Sequence, residues 1–173
     1  MIGGLIYDFI LETINRTRQS SVSCMDELGH PCYQVFINKH RFGKCIHIET
    51  TEQEKVADIH CMGFSKMLRS SIFINGRKCI TLLCSFATSE PLFKINGQTW
   101  IFRGDVLLRN FDVVDVDRTV IFIHGTQWMP QSGNGYTLQI EQPEFALESL
   151  CISVVIDAFA SGGECTQTAA ELN

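Results

Sequence analysis

Residues 145–160 constrain the fold more than any other part of this chain, because they read as a helix that is apolar on nearly every side. Pro143 suits the first helical position, where its missing N–H costs nothing. Glu144 sits in the first turn, where the helix dipole favours an anion. Gly162-Gly163 supplies the stop, so the helix is expected over Pro143 to Ser161, nineteen residues spanning about 28 Å. Leu147, Leu150, Cys151, Val154, Val155 and Phe159 are expected to form its core-facing set, and they point in almost every direction around the axis. Its polar stripe is Ser149, Ser153 and Asp157, four residues apart, with Glu148 beside its start.

A helix of this kind must be buried on nearly all sides. A bilayer or a protein core could do that. A membrane span needs about twenty clean apolar residues, and Asp157 interrupts the run here while Glu144 and Glu148 shorten it. A charge at membrane depth costs about 2.5–3.5 kcal/mol on insertion scales. No transmembrane span is therefore expected. A cylinder of strands supplies apolar surface on all sides, so a closed β-barrel threaded by this helix is the expected architecture.

The middle of the chain carries turn signals at nearly even intervals. Asn75-Gly76 and Asn96-Gly97 lie twenty-one residues apart, and both read as two-residue hairpins whose central residues need positive φ. The same step reaches Asp117-Arg118 forward and Glu54-Lys55 backward, and Asp26-Glu27-Leu28-Gly29-His30-Pro31 marks an earlier turn. Between them the residues alternate in period two, as in Ile46/Ile48, Ala57/Ile59/Cys61 and Tyr136/Leu138/Ile140, which puts one face on a core. Ile72-Phe73-Ile74, Ile80 to Cys84 and Val120 to Ile123 are apolar on both faces and are expected to be covered on both sides or to sit against a neighbour. About ten to twelve antiparallel strands are expected between Ser20 and Glu141. Residues 1–19 fit either a helix or a strand. One domain over residues 1–163 and a short polar tail over 164–173 follow, since 173 residues suit one domain better than two.

Composition narrows the function classes. A net charge of −5 without a basic run argues against nucleic acid as partner. The start lacks a basic region followed by an apolar run, so no secretory leader is expected. The eight cysteines mostly have apolar neighbours and are expected as reduced thiols in a cytoplasmic protein.

From about Ser20 to Ala160 the chain resembles the LURP-one-related family, which includes bacterial YxjI-like proteins and belongs to the tubby-like superfamily. The carrying segments are residues 23–33, Val56-Ala57-Asp58-Ile59, residues 72–77, Pro91 to Trp100, Arg103-Gly104-Asp105, residues 111–115, Tyr136 to Ile140 and the helix 147–157. No one motif is diagnostic; their order is. The resemblance implies a twelve-stranded closed barrel around a central hydrophobic helix, with no established enzymatic activity. It also implies phospholipid binding on a scramblase-like fold.

Candidate chemistry is sparse. Cys45, His47, His60 and Cys61 bring two metal-ligand types near one another, but no C-x-x-C pair exists, and core cysteines with surface histidines are the expected reading. Asp112, Asp115 and Asp117 read as turn aspartates rather than a cation loop. His124 is a candidate for nucleophilic chemistry only by default. No catalytic residue, metal ligand or cofactor is assigned. The remaining feature is a loose basic group, Lys39, Arg41, Lys44, Lys66, Arg69, Arg77 and Lys78, with Phe64, Met67 and Leu68 near part of it. Gathered on one face, these residues could meet anionic lipid head groups or a protein partner. The expectation is a non-enzymatic binding or scaffold domain in the cytoplasm or peripheral to a membrane. The alternative is a small hydrolase or metal protein using Cys and His.

Overall fold

The computed structural model describes residues 5–8, 19–40, 43–64, 66–85, 92–129 and 133–163. Among them run twelve strands: β1 Leu5–Asp8, β2 Gln19–Asp26, β3 Pro31–His40, β4 Gly43–Thr50, β5 Lys55–Phe64 and β6 Met67–Ile74. They continue with β7 Arg77–Ser85, β8 Leu92–Asn96, β9 Ile101–Asp105, β10 Asn110–Val114, β11 Val120–Met129 and β12 Gly133–Ile140. A 3-10 turn, Pro143–Phe145, leads into helix α1, Ala146–Gly163. The helix thus begins one tight turn later than its sequence signals and runs through both stop glycines. Residues 1–19 contribute a strand at Leu5–Asp8, which hydrogen-bonds to both β2 and β12. The rest of that opening segment, and the tail 164–173, lie outside the described residues.

Every pairing is antiparallel, and the sheet order is β8-β7-β6-β5-β4-β3-β2-β1-β12-β11-β10-β9. Helix α1 packs against β5, β6, β11 and β12. Four strands separate β5 from β12 in that order, so both flanks can touch one helix only if the sheet curls around it. Residues 149 to 158 of the helix are all buried. Leu150, Cys151, Val154 and Val155 sit at 0 to 3% exposure, while Leu147 and Phe159 are half-buried near the two ends. Each fully buried aliphatic side chain of this set stabilises by about 1.5–3 kcal/mol. The two stripe serines are satisfied within the helix: Ser149 donates to the Phe145 carbonyl and Ser153 to the Ser149 carbonyl.

The expected closed barrel is not what forms. β8 and β9 are the two edges of the sheet and share no ladder. The reason lies in the turn between them. Asn96-Gly97 reads as a two-residue hairpin, but Asn96 ends β8 and only Gly97 has positive φ, +103°. The chain then turns inward to bury Trp100 (3% exposed), whose ring meets Phe145 edge to face at 4.9 Å. Anchoring Trp100 under the sheet takes the place of a tight reversal, and the strands splay. Gly97 is required there: a Cβ would lie 2.3 Å from the Cys79 carbonyl oxygen.

The other hairpins use a different geometry. Asn75-Gly76 has the two positive φ values expected, +48° and +76°. Four further turns close with a hydrogen bond from the fourth residue's N–H to the first residue's carbonyl, and the fourth residue is left-handed: Gly29, Gln53, Arg109 and Arg118. Among the described residues no second layer covers the strands apolar on both faces. Phe73 and Leu83 are half-buried and Ile123 is exposed.

Candidate functional site

An antiparallel meander sends alternate turns to opposite ends, and here the two ends differ in chemistry. At one end the ladder runs His40↔Gly43, Gly43↔Met62, Phe64↔Met67, Met67↔Ser85 and Ser85↔Leu92. The β9–β10 turn, Val106 to Arg109, lies at this same end, as does the C-terminal half of α1. Exposed side chains here include basic and apolar ones, Lys39, Lys66 and Arg69 with Met62 (58%), Met67 (60%) and Leu108 (71%), together with the carboxylate of Asp105. Leu107 is 45% and Leu92 60% exposed. The opposite end holds the turns with Asp26, Glu27, Glu52, Glu54, Asp115 and Asp117. The chain is acidic overall, and among the described residues these turn carboxylates lie away from this basic and apolar end, where Asp105 is the exception.

The seven basic residues singled out from sequence divide accordingly. Lys39 and Lys44 are direct cross-strand partners, and Lys66 and Arg69 lie on the neighbouring β5–β6 turn and β6. Arg41 lies outside the described residues. Arg77 and Lys78 flank Asn75-Gly76 at the opposite end, the eight-residue length of β6 away, about 26 Å at ~3.3 Å per residue.

Lys44 departs from a surface role. Its position in β4 puts it on the same face as Ile46 and Ile48, half-buried, and its Nζ donates to the Ala158 carbonyl of α1. Burial first, and Lys39 second, pull its ammonium below the usual lysine range. It places a cation at the negative end of the helix dipole.

Beneath the Leu107-Leu108 turn is a buried polar cluster. Above it, exposed Asp105 accepts from the Leu108 N–H at 2.9 Å and shapes the turn. Arg109 has φ +59°, and its guanidinium carbon lies 4.8 Å from the Tyr136 ring centroid. Its carbonyl oxygen is 2.9 Å from Nδ1 of His124, and Nε2 of that imidazole is 3.2 Å from Oδ2 of Asp157. Both side chains are 0% exposed. A carbonyl can only accept, so Nδ1 donates to it, and Nε2 faces the Asp157 carboxyl. Phe111 stacks on the imidazole at 4.8 Å and Tyr136 lies 5.4 Å away. The cluster ties the last buried turn of α1 to β11 and to the turn bearing Leu107 and Leu108.

This pair was missed in sequence, where His124 reads as the end of a strand and as surface-facing. It lies inside β11 and is fully enclosed. The signal was present in Asp157: a carboxylate on a helix buried all round needs a buried partner.

The other candidates make local contacts. Among the described residues no group of three His, Cys, Asp or Glu side chains could hold a metal ion. Asp112 pairs with Arg103, Asp115 accepts from Thr99 and the Val116 N–H, and Asp117 accepts from the Thr119 N–H. His47 stacks on Phe36 and His60 lies against Phe73. Burial pushes the Cys24 and Cys84 thiols up to about 12, and it raises Cys151 well above the ordinary thiol value.

Among the described residues no helix is long and apolar enough to cross a membrane. No family model matches the chain, and no curated protein matches it. A solved X-ray structure of a protein from Arabidopsis thaliana is similar in fold, with a TM-score of 0.52 and 10% identity over 90% of this chain and 91% of that one.

Proposed function

We propose that this chain is a non-enzymatic binding module, tubby-like as its sequence resemblance implies, that docks on an anionic phospholipid surface through its basic and apolar end. The observation that carries this reading is the gathering of Lys39, Lys66 and Arg69 with exposed Met62, Met67, Leu107 and Leu108 at one end, opposite the acidic turns. Each lysine or arginine held near an anionic leaflet contributes about 1 kcal/mol. Leucines at a turn tip add apolar burial at the head-group boundary. A peripheral protein on the cytoplasmic face of a membrane fits this arrangement. A hydrolase reading built on His124 and Asp157 is disfavoured, because these are sealed under Phe111, Tyr136 and the β9–β10 turn.

Co-sedimentation with vesicles of phosphatidylcholine alone, and with added phosphatidylserine, tests the proposal. Binding should require the anionic lipid and weaken as salt rises from about 0.05 to 0.5 M, where the screening length shortens several-fold. Replacing Leu107 and Leu108 by serine, or Lys66 by glutamate, should reduce it. Arg77→Glu with Lys78→Glu, at the other end, should not. Equal pelleting with neutral and anionic vesicles would exclude the idea, as would none at all.

A further inference from the structure

We propose that the outer face of β3 and β4, beside the acidic turns, is a binding site for an alkylammonium group. This does not rest on the membrane reading, which uses the other end of the sheet. Gln34, Phe36 and Glu49 alternate with buried Val35 and Ile48, so they face away from the core. With Thr51 and Gln53 of the turn between β4 and β5 they line a hollow of about 440 Å³, within the ~300–1,000 Å³ typical of ligand sites. Its base is two neighbouring cross-strand pairs, Gln34↔Glu49 and Phe36↔His47. His47 stacks on Phe36 with ring centroids 4.8 Å apart, and its Nε2 lies 3.6 Å from Oε1 of Glu49, so one imidazole holds both the ring and the carboxylate.

Charge selects a cation. Among the described residues Glu49 is the one charged group in the lining, and its side chain keeps 25% exposure. A carboxylate offers about four acceptor sites, and the imidazole engages one of its oxygens. Asp26, Glu27, Glu52 and Glu54 add negative potential from the adjoining turns. Two basic neighbours are engaged elsewhere: Lys55, opposite Glu49 in the ladder, pairs with Asp58 at 2.8 Å, and His30 meets Asp26 at 3.2 Å. Arg77 and Lys78 begin β7, three strands from β4, about 14 Å at ~4.8 Å per strand and beyond a screening length. A hard metal ion takes about six to eight oxygen ligands, whereas here a phenyl ring stands beside a single carboxylate. An organic ammonium suits both groups. Phe36 and Glu49 are diagonal neighbours, about 7–8 Å apart, so a cation seated on the carboxylate comes within the ~6 Å of a ring at which cation–π attraction acts.

An alkylammonium group has two sources, a free small molecule and a lysine of a peptide, and the probes separate them. Choline is compared with its neutral carbon isostere dimethylbutanol, and Nα-acetyl-lysine amide with Nα-acetyl-norleucine amide. Amide NMR titration of the full chain in about 0.15 M salt reads both affinity and place. A charged probe should shift the amides of β3, β4 and the turn between β4 and β5, and bind about fivefold or more tightly than its isostere; the tighter of the two names the source. Glu49→Gln, an isosteric change at a part-exposed position, should erase that margin, and Asp105→Asn at the other end should leave it. Equal binding of charged and neutral probes, shifts centred elsewhere, or a margin that survives Glu49→Gln would overturn the proposal. So would the absence of any shift at about 50 mM probe.

Discussion

The His124–Asp157 pair makes a quantitative demand on stability that a double-mutant cycle can test. His124→Phe keeps a ring between Phe111 and Tyr136 but removes the imidazole from a carboxylate at 0% exposure. It also takes the Nδ1 hydrogen from the Arg109 carbonyl. Removing one partner of a buried charge-bearing pair costs about 3–5 kcal/mol. Asp157→Leu leaves the imidazole its carbonyl contact and should cost about 1–3 kcal/mol, the usual penalty for a stranded polar group. In the double variant the carboxylate is gone and leucine fills its space among Ile156, Ala158 and β11. Only the Arg109 carbonyl then loses its donor, again about 1–3 kcal/mol. The two single losses together exceed the double loss by about 2 kcal/mol or more, well above the ~0.5 kcal/mol scatter of independent sites. Urea unfolding followed by tryptophan fluorescence reads this directly, because Trp100 is buried against Phe145. With a slope of about 2 kcal/mol per molar urea, His124→Phe should lower the midpoint by about 2 M and the double variant by about 1 M. Additive losses would refute the idea that these two side chains form one unit.

Other consequences can be checked separately. Ser149→Ala and Ser153→Ala should each change stability by less than about 1 kcal/mol, because these hydroxyls bond only within the helix and alanine is the better helix former; larger losses by urea titration would mean the stripe faces something else. Gln53→Gly should stabilise by about 0.5–1 kcal/mol by relieving a left-handed φ of +64° in an exposed turn, whereas Gly97→Ala should destabilise severely, since the added Cβ would meet a backbone carbonyl. Thermal melts distinguish the two signs. The Cys24 and Cys84 thiols, raised from 9.0 to about 12 in the fold, hold their protons longer folded than unfolded. Their contribution is complete below about pH 9 and is lost as pH rises toward 12, so stability should fall in that window, less steeply in Cys24→Val; an unchanged profile in that variant would argue against it. At pH 8 only about one such thiol in ten thousand is thiolate, so iodoacetamide should label Cys32 long before Cys24, Cys84 or Cys151.

What the sequence revealed and what it hid follow from the range of the forces involved. The helix was legible because burial on all sides is written in composition: Leu150, Cys151, Val154 and Val155 leave no solvent face. Strand periodicity was legible for the same reason at Ile46/Ile48 and Ile59/Cys61. Turns were legible where glycine or asparagine marked a left-handed residue, as at Gly29 and Asn75-Gly76. Gln53, Arg109 and Arg118 adopt the same conformation without any such mark, held by the strands on either side. The open seam was hidden because closure depends on a contest between local turn chemistry at Asn96-Gly97 and a long-range contact, Trp100 with Phe145, forty-five residues apart. The basic residues could be counted but not placed, since strand order and turn alternation decide which end each occupies. That alternation separates Arg77 and Lys78 from Lys39 and Lys66 and brings Leu107 and Leu108 to the latter.

The same alternation explains how an acidic chain can present a cationic surface. Net charge sets the field at distances longer than the screening length of about 8–10 Å in physiological salt. At contact, only groups on the approaching face count. β6 alone separates the two ends by about 26 Å, two to three screening lengths, so Asp26, Glu52 and Asp117 scarcely oppose an anion arriving at Lys39 and Lys66. The distant carboxylates do favour one approach: an anionic sheet repels the acidic end and attracts the basic one, which turns α1's C-terminal end toward it. Burial of Lys44 at that end serves a different purpose. Its ammonium answers the negative end of the helix dipole inside the fold, leaving Lys39 and Lys66 for whatever lies outside. Orientation by a charge dipole and grip by exposed leucines are then separable: Leu107 and Leu108 set how firmly the end holds, and the opposed charges set which end arrives.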